Sequence, residues 1–265
     1  MCATCGCGDD QGVRVSTLDH EHPREHPHEH PHEHPQPHEH PHPHPEQAGS
    51  TRTIDIEAAL LARNDSLAAD NRRWLAGRAI TAVNLMSSPG SGKTSLLQRT
   101  ITETATRRPV AVIEGDQETL LDAERIRQTG AAVVQVNTGA GCHLDADMLR
   151  RGLDALNPPS GCLVFVENVG NLVCPALFDL GEVARVVVVS VTEGEDKPLK
   201  YPHMFAAADV VVVNKVDLLP YVDVDLGRLS GYVRQVNPRA EILALSVTRG
   251  DGLEQWYRWL DRVPT

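Results

Sequence analysis

Seven short apolar runs recur between residues 80 and 245, and segments with helical spacing of apolar residues separate them. The runs cover residues 80–86, 110–113, 132–136, 162–166, 186–191, 210–213 and 242–245. Near-continuous apolar runs of this length are typical of strands that are buried on both faces of a parallel sheet. The alternation therefore predicts an α/β fold with a mostly parallel, doubly wound sheet and helices on both faces.

The helical segments predicted between these strands cover residues 94–107, 117–129, 146–153, 199–207, 225–235 and 253–260, and a further helix is predicted over 54–77. Residues 1–50 differ in composition, because they hold almost no large apolar side chains and eleven histidines lie between His20 and His44. Burial could not offset the entropy lost on ordering such a segment. We therefore expect a disordered Cys/His-rich tail over residues 1–50 and one domain over 51–265.

The formal net charge of −11 argues against a general nucleic-acid-binding protein, which would present a basic surface. The longest apolar stretch, residues 183–191, is interrupted by Arg185 and is too short to span a membrane. The N-terminus lacks the basic start and apolar run of a signal peptide. Six cysteines in such a chain indicate thiols or metal ligands rather than disulfides, so we expect a cytoplasmic protein.

Residues 87–94, Ser-Ser-Pro-Gly-Ser-Gly-Lys-Thr, connect a predicted strand to a predicted helix, as a phosphate-binding loop does. Glycines let the backbone approach phosphate, and amides at a helix start donate to it. Ser87 stands where the usual pattern has its first glycine, so a tight turn with a surface lysine is the alternative. The nucleotide contacts that we expect come from Gly90, Ser91, Gly92, Lys93, Thr94 and Ser95. Together with the alternating strands and helices, this motif predicts that the α/β domain is a P-loop NTPase.

Asn214-Lys215-Val-Asp217 directly follows the run at residues 210–213. A carboxylate at Asp217 can accept from the ring N–H and the exocyclic amine of guanine, a donor pair that adenine lacks. The motif therefore favours GTP and GDP over adenine nucleotides, although an isolated copy of it is a common surface turn. Ser246, after the last strand, is a weaker candidate for contacts to the base.

Acidic residues follow two other predicted strands, at Glu114-Gly-Asp116 and at Glu167-Asn-Val-Gly170. We expect Thr94, Asp116 and Glu167 to hold Mg²⁺ or to position water, and the Gly170 amide to sense the γ-phosphate. Lys93, Asp116 and Glu167 are accordingly the candidate catalytic residues. Helix caps or turn acids are the alternative. No glutamine or arginine can be singled out to orient the attacking water, so slow hydrolysis is expected.

The N-terminus brings three thiols together, because Cys2, Cys5 and Cys7 lie within six residues of one another. Square-planar ligation there would favour Ni²⁺ or Cu²⁺, whereas tetrahedral ligation would favour Zn²⁺, and the sequence does not choose between them. A disulfide or an oxidation-prone tail is the alternative. The histidine tract, with its interspersed Pro and Glu, suits a metal reservoir of interchangeable imidazoles, with a charged solubilising tail as its alternative.

A third set of ligands lies in the domain itself. Cys142 and His143 follow one predicted strand, and Cys174 follows the Glu167–Gly170 motif by four residues. Both segments lie beyond strand ends, so they can converge into a site of two thiolates and one imidazole. Free cysteines are more often buried structural residues, which is the alternative here.

Taken together, these motifs resemble the HypB family, the GTPases that help to load nickel into [NiFe]-hydrogenases. The resemblance rests on residues 84–94, Glu114-Gly-Asp116, Gly141-Cys-His143, 167–175, 193–203 and Asn214-Lys-Val-Asp217, together with the Cys-x-x-Cys-x-Cys start. It implies that a serine at position 87, in place of the first glycine of the phosphate-loop pattern, is usual in this family. It also implies a homodimer that forms on GTP binding, a metal held between subunits by Cys142, His143 and Cys174, and a tighter nickel site at Cys2, Cys5 and Cys7. The implied partners are a HypA-type nickel carrier and the hydrogenase large-subunit precursor.

The leading hypothesis is thus a GTP-hydrolysing nickel metallochaperone. Two alternatives stay open: a nickel storage or buffer protein with a regulatory GTPase, and a related GTPase that inserts nickel into urease.

Overall fold

The structure is a computed structural model that describes residues 14–17, 48–104, 107–116, 121–139 and 141–264. The predicted ligands Cys2, Cys5 and Cys7 and the histidine tract lie outside the described residues. Among the helices that are described, none is long and apolar enough to cross a membrane.

One sheet of eight strands organises the domain, in the order β1-β4-β3-β5-β2-β6-β7-β8. The strands are β1 (Arg14–Thr17), β2 (Thr81–Ser87), β3 (Val110–Asp116), β4 (Ala132–Asn137), β5 (Leu163–Glu167), β6 (Ala184–Ser190), β7 (Val210–Asn214) and β8 (Glu241–Ala244). Strands β2 to β8 are parallel, which confirms the predicted sheet. The edge strand β1 pairs antiparallel with β4 and was not predicted.

Eight α-helices connect or flank these strands in the described residues. They are α1 (Ala48–Ala76), α2 (Lys93–Thr104), α3 (Leu121–Arg127), α4 (Ala146–Leu156), α5 (Lys197–Lys200), α6 (Pro202–Ala206), α7 (Leu226–Val236) and α8 (Leu253–Arg262). The single helix predicted over 199–207 is therefore wrong. Pro202 has no backbone N–H and disfavours helical geometry at Tyr201, which takes φ −127° and ψ 55°, so the segment divides there.

Alternate side chains of the central strands point to opposite faces of the sheet, where the described residues form three hydrophobic clusters. Val186 and Val188 of β6 join a core beneath α2, α3 and α8. Their neighbour Val187 joins a core with α6 and α7 on the other face, and Val164 of β5 packs towards α1 and α4 on that same side. Both faces of the sheet are thus covered, which explains why its strands are continuous apolar runs.

The carboxyl ends of four parallel strands carry the polar residues of the site. β2 ends at Ser87, β3 at Asp116, β5 at Glu167 and β7 at Asn214. Because parallel strands present these ends at one edge, the loops that follow them converge there, as in other open α/β sheets.

Candidate functional site

The phosphate loop joins β2 to α2, and two of its glycines have positive φ. Gly90 has φ +75° and Gly92 has φ +96°. A Cβ at Gly92 would lie 2.4 Å from Asn214 Nδ2, so both the backbone conformation and the close approach of β7 require glycine. The loop ends at Lys93, where α2 begins.

Glu167 holds the two side chains that open α2. Lys93 Nζ donates to Glu167 Oε1 at 2.8 Å, and Thr94 Oγ1 donates to the same oxygen at 2.6 Å. The Glu167 side chain is 1% exposed, and among the described residues its Oε2 accepts no hydrogen bond. A buried carboxylate with a spare oxygen beside a hydroxyl is a donor set of the kind that Mg²⁺ prefers.

A cavity of about 540 Å³ opens over the phosphate loop. Its lining consists of Ser87, Ser88, Pro89, Gly90, Ser91, Gly92, Lys93, Thr94, Ser95, Asp116, Asp122, Arg125, Val169, Gly170 and Lys215. The structure thus brings Asp116 and Gly170 to the same cavity as the phosphate loop. Asp122 and Arg125 were not predicted from the sequence, because a charge pair on a helix carries no signal of a site. They form an ion pair at 3.0 Å on α3.

Glu114 is a buried acid at the site for which the sequence predicted no role. Glu114 and Glu167 are register partners on adjacent parallel strands, and Glu114 is 3% exposed. Burial raises the pKa of the Glu114 carboxyl to about 8; the charges of Glu167 and Asp116 add to this rise and Lys93 opposes it. The site therefore contains a carboxyl that stays largely protonated at neutral pH.

Asn214 and Lys215, at the end of β7, support the phosphate loop across the intervening strand β6. Asn214 Nδ2 donates to the Ser91 carbonyl at 2.9 Å, and Lys215 Nζ donates to the Gly90 carbonyl at 2.7 Å. Lys215 takes φ +61°, which turns the chain into the 3₁₀ helix Val216–Tyr221 that carries Asp217. The first two residues of the Asn-Lys-x-Asp motif therefore lie against the phosphate loop, whereas Asp217 is not part of the cavity lining.

Ser246 is completely buried in the turn that follows β8. Its hydroxyl accepts from the Arg249 amide at 3.1 Å, and its own amide donates to the Asp251 carbonyl at 2.8 Å. The next amide, at Val247, donates to Asn214 Oδ1 at 3.2 Å. In this structure the turn supports Asn214.

Cys142, His143 and Cys174 converge, as their positions beyond strand ends predict. Their ligand atoms all lie within 4.8 Å of one another, and they are the one group of this kind in the described part of the chain. We call them the Cys-His-Cys cluster. The His143 ring stacks on Phe178 with centroids 3.9 Å apart, and its burial lowers the pKa of the imidazole. A neutral imidazole between two thiols is a set of ligands suited to Ni²⁺ or Zn²⁺.

Comparison with known proteins agrees with this geometry. Residues 81–244 match the model of the CobW/HypB/UreG nucleotide-binding domain. The hydrogenase maturation factor HypB of Rhizobium leguminosarum bv. viciae is 55% identical over 210 residues, which cover 79% of this chain and 70% of the relative. The chain belongs to the HypB family of hydrogenase maturation factors. The resemblance inferred from the sequence motifs is thereby confirmed.

Two solved HypB structures share the fold. HypB from Archaeoglobus fulgidus matches with a TM-score of 0.71 at 42% identity, over 76% of this chain and 98% of that one. HypB from Helicobacter pylori in complex with nickel also gives 0.71, at 34% identity, over 77% of this chain and 98% of that one. The two structures therefore share their fold with about three quarters of this chain.

In this chain, one segment connects the nucleotide cavity to the Cys-His-Cys cluster. It begins with Glu167, continues through Gly170 beside Pro89 of the phosphate loop, and reaches the cluster at Cys174. Between them, Asn171 Nδ2 donates to the Cys142 carbonyl at 3.4 Å, while Asn171 Oδ1 accepts from the Val173 amide at 2.8 Å. The two sites thus share a short stretch of backbone.

Proposed function

We propose that this chain is a GTP-hydrolysing nickel metallochaperone that promotes nickel insertion into the [NiFe]-hydrogenase large-subunit precursor. The observation that carries the proposal is the segment from Glu167 to Cys174. Its first residue holds Lys93 and Thr94 of the phosphate loop, and its last belongs to the Cys-His-Cys cluster. A segment with one end in each site can respond to nucleotide and to metal.

The nucleotide half of the proposal uses the residues around the cavity. Backbone amides from Gly90 to Ser95 and the Lys93 ammonium bind the phosphates, and Asp217 accepts from guanine, with Asn214 and Lys215 holding the loops together. Phosphate binding requires Lys93 to leave Glu167, and that carboxylate then becomes available beside Thr94. The nucleotides are accordingly GTP and GDP.

The residues present fit a magnesium ion, because Thr94, Glu167 and Asp116 offer hard oxygen ligands at the phosphate loop. When bound, Mg²⁺ would neutralise charge that develops on the phosphate oxygens. Glu167 and Asp116 also position water. Intrinsic hydrolysis is slow, because the described residues of the cavity lining include no glutamine to orient the nucleophile.

In the metal-binding part of the proposed function, nickel is cargo rather than a resident cofactor. Cys142, His143 and Cys174 hold Ni²⁺, with Zn²⁺ as a competitor, and a second copy of the chain completes the site when GTP brings two subunits together. The cysteines at positions 2, 5 and 7 form a separate nickel site, and the histidine tract stores nickel. Nickel passes between a HypA-type carrier, this chain and the hydrogenase precursor, all in the cytoplasm.

The deciding experiment measures single-turnover hydrolysis of GTP and ATP by the full chain, with and without Ni²⁺ or Zn²⁺. We expect slow GTP hydrolysis, none of ATP, and a change in rate when metal binds. Asp217→Asn should weaken GTP binding about 100-fold, since the base loses a charged acceptor. Cys174→Ala should weaken nickel binding and GTP-dependent dimerisation together. If Cys174→Ala leaves both unchanged, the proposed link between the sites is wrong.

The histidine tract also suits a second function, a nickel buffer with a regulatory GTPase. Deleting residues 2–46 separates the two. A metallochaperone retains hydrogenase maturation when nickel is added, whereas a buffer loses its whole phenotype.

Insertion of nickel into urease is the remaining alternative, because a Helicobacter pylori relative at 35% identity is named a hydrogenase/urease maturation factor. The nickel enzyme that fails in a strain lacking this gene decides between the two recipients.

A further inference from the structure

Asn168 follows Glu167 directly and is completely buried. Its side-chain oxygen, Oδ1, accepts two backbone hydrogen bonds, from the Val169 amide at 3.0 Å and from the Leu144 amide at 3.1 Å. Val169 lines the nucleotide cavity. Leu144 follows His143 of the Cys-His-Cys cluster in the chain. We call residues 141–146, which include Cys142 and His143, the metal-binding loop. A single oxygen therefore joins the backbone of the cavity wall to the backbone of the metal-binding loop.

Hydrogen bonds made by the amide nitrogen of Asn168 and its partners fix the orientation of this side chain. Asn168 Nδ2 donates to Asn84 Oδ1 at 3.4 Å, and Asn84 Nδ2 donates in turn to Glu182 Oε1 at 3.2 Å. Arg185 Nε donates to that same Glu182 oxygen at 2.6 Å. Rotating the Asn168 amide would leave buried polar groups without partners, which costs more than the bonds gain. The oxygen is thus held towards the two amides.

The other end of the metal-binding loop has an anchor that does not reach the nucleotide. The Ala146 amide donates to Asn64 Oδ1 at 2.9 Å, and Asn71 Nδ2 donates to the Ala146 carbonyl at 2.8 Å. Asn64 and Asn71 both lie on α1, which contributes nothing to the cavity lining. The loop is therefore fixed at Ala146 and bonded at Leu144 to a residue of the nucleotide site.

We propose that Asn168 is the positioning residue through which nucleotide state changes the metal affinity of the Cys-His-Cys cluster, an inference that rests on the proposed function. When the peptide at Val169 and Gly170 moves to meet a γ-phosphate, Asn168 Oδ1 strengthens or releases its bond to the Leu144 amide. His143 and Cys142 then move relative to Cys174. Because donor atoms within 4.8 Å of one another bind metal only at defined separations, small displacements change affinity.

The test measures nickel affinity in three states of the full chain: without nucleotide, with GDP and with a non-hydrolysable GTP analogue. Cys2, Cys5 and Cys7 are changed to alanine in every variant, so that thiolate-to-nickel charge-transfer absorption reports the cluster. A chelator buffer sets the free Ni²⁺ concentration, which makes occupancy of the histidine tract irrelevant. The ratio of nickel affinities between nucleotide states is the coupling factor, and nucleotide affinity must respond to nickel by the same factor.

Asn168→Ala should lower the coupling factor about fivefold or more. The substitution removes the acceptor of the Leu144 amide, and this loss affects the nucleotide state in which the bond is formed more than the state in which it is released. Asn64→Ala is the matched control, since it removes an acceptor from the same loop without touching the cavity. It should change nickel affinity by the same factor in all three states. An unchanged coupling factor in Asn168→Ala overturns the inference, as does a factor of one in the parent protein.

A second measurement needs no variant, should Asn168→Ala fail to fold. Hydrogen exchange at the Leu144 amide of the parent protein should differ between the GDP and GTP-analogue states, while the Ala146 amide stays unchanged. Equal protection of Leu144 in both states overturns the inference. Failure of the proposed function can be told apart from failure of this inference, because the parent protein would then bind no nickel at the cluster or hydrolyse no GTP.

Discussion

Lys93 Nζ lies 2.8 Å from Glu167 Oε1, so the phosphate-loop lysine is paired with the acid at the end of β5. The Lys93 side chain is 11% exposed and that of Glu167 is 1% exposed, which makes this a buried ion pair. Nucleotide phosphates and Glu167 therefore compete for one ammonium group. Removing either charge alone leaves the other buried without compensation.

Glu167→Gln tests this competition. The amide keeps the size of the side chain but gives up its charge, so GTP hydrolysis should fall about 100-fold as Lys93 and Mg²⁺ lose their carboxylate. GDP affinity without Mg²⁺ should hold or rise, because Lys93 has no anionic competitor. Single-turnover kinetics and equilibrium binding measure the two effects. Asp122→Asn, an acid on the cavity wall, is the control, and equal losses in both variants would contradict the assignment.

A comparison of Gly92→Ala with Gly90→Ala separates the cost of backbone strain, which both variants share, from the cost of a steric clash, which only Gly92→Ala has. Both glycines have positive φ, but a Cβ at Gly92 would meet Asn214 Nδ2 at 2.4 Å, whereas a Cβ at Gly90 has no neighbour within 4 Å among the described residues. We expect Gly92→Ala to destabilise the fold by about 2–4 kcal/mol and Gly90→Ala by about 1 kcal/mol.

Chemical denaturation measures this difference, and GDP titration should show the larger loss of affinity in Gly92→Ala. Similar values for the two variants would mean that Asn214 moves aside at little cost.

Glu114→Gln should change how stability depends on pH. The folded-state pKa is raised to about 8 from an ordinary value of 4.5, so between these values the folded state binds more protons than the unfolded state. Glu114 therefore lowers the free energy of unfolding as pH rises through this window, with a slope of up to about 1.4 kcal/mol per pH unit. The glutamine variant lacks this contribution.

Denaturation in EDTA from pH 5 to pH 9 measures the effect. The stability of Glu114→Gln relative to the parent should increase with pH and level off above pH 8. Asp154→Asn, which removes an exposed charge on α4 that does not contribute to the raised pKa of Glu114, should show no such trend. Parallel curves for Glu114→Gln and the parent would show that Glu114 is ionised in the fold.

Periodicity and motif position predicted much of this molecule. The seven parallel strands followed from valine-rich runs, and Cys142 and Cys174 were expected to converge because both follow strand ends. These predictions depend on local pattern and on a general property of parallel sheets, and neither requires knowledge of individual contacts.

Contacts between distant residues were not predictable in this way. The pairing of Glu114 with Glu167 depends on strand order, which places β3 beside β5 rather than beside β2. The bond from Leu144 to Asn168 likewise spans two separate loops, and an asparagine after a strand has no distinctive pattern. The edge strand β1 has four residues and lies in a segment of polar composition, so its periodicity was too short to indicate a strand.

Phe178 supports the Cys-His-Cys cluster without supplying a ligand. Its ring stacks on His143 at 3.9 Å with an interplanar angle of 25°, and it fixes the plane in which the imidazole can present its nitrogens. Phe178→Ala should therefore weaken nickel binding about tenfold, a loss typical of residues that orient a metal ligand. The fold should survive, because Phe178 is only partly buried at the edge of its core.

Leu177→Ala is the matched control for this prediction, since Leu177 is the preceding residue and is 51% exposed. Nickel titration monitored by thiolate charge-transfer absorption, with Cys2, Cys5 and Cys7 changed to alanine, compares the two variants. A tenfold loss in Phe178→Ala with no change in Leu177→Ala assigns the effect to the ring stack. Equal losses would instead assign it to the shared backbone after Cys174, and nickel affinity would then depend on the 3₁₀ helix Cys174–Leu177 rather than on the orientation of His143.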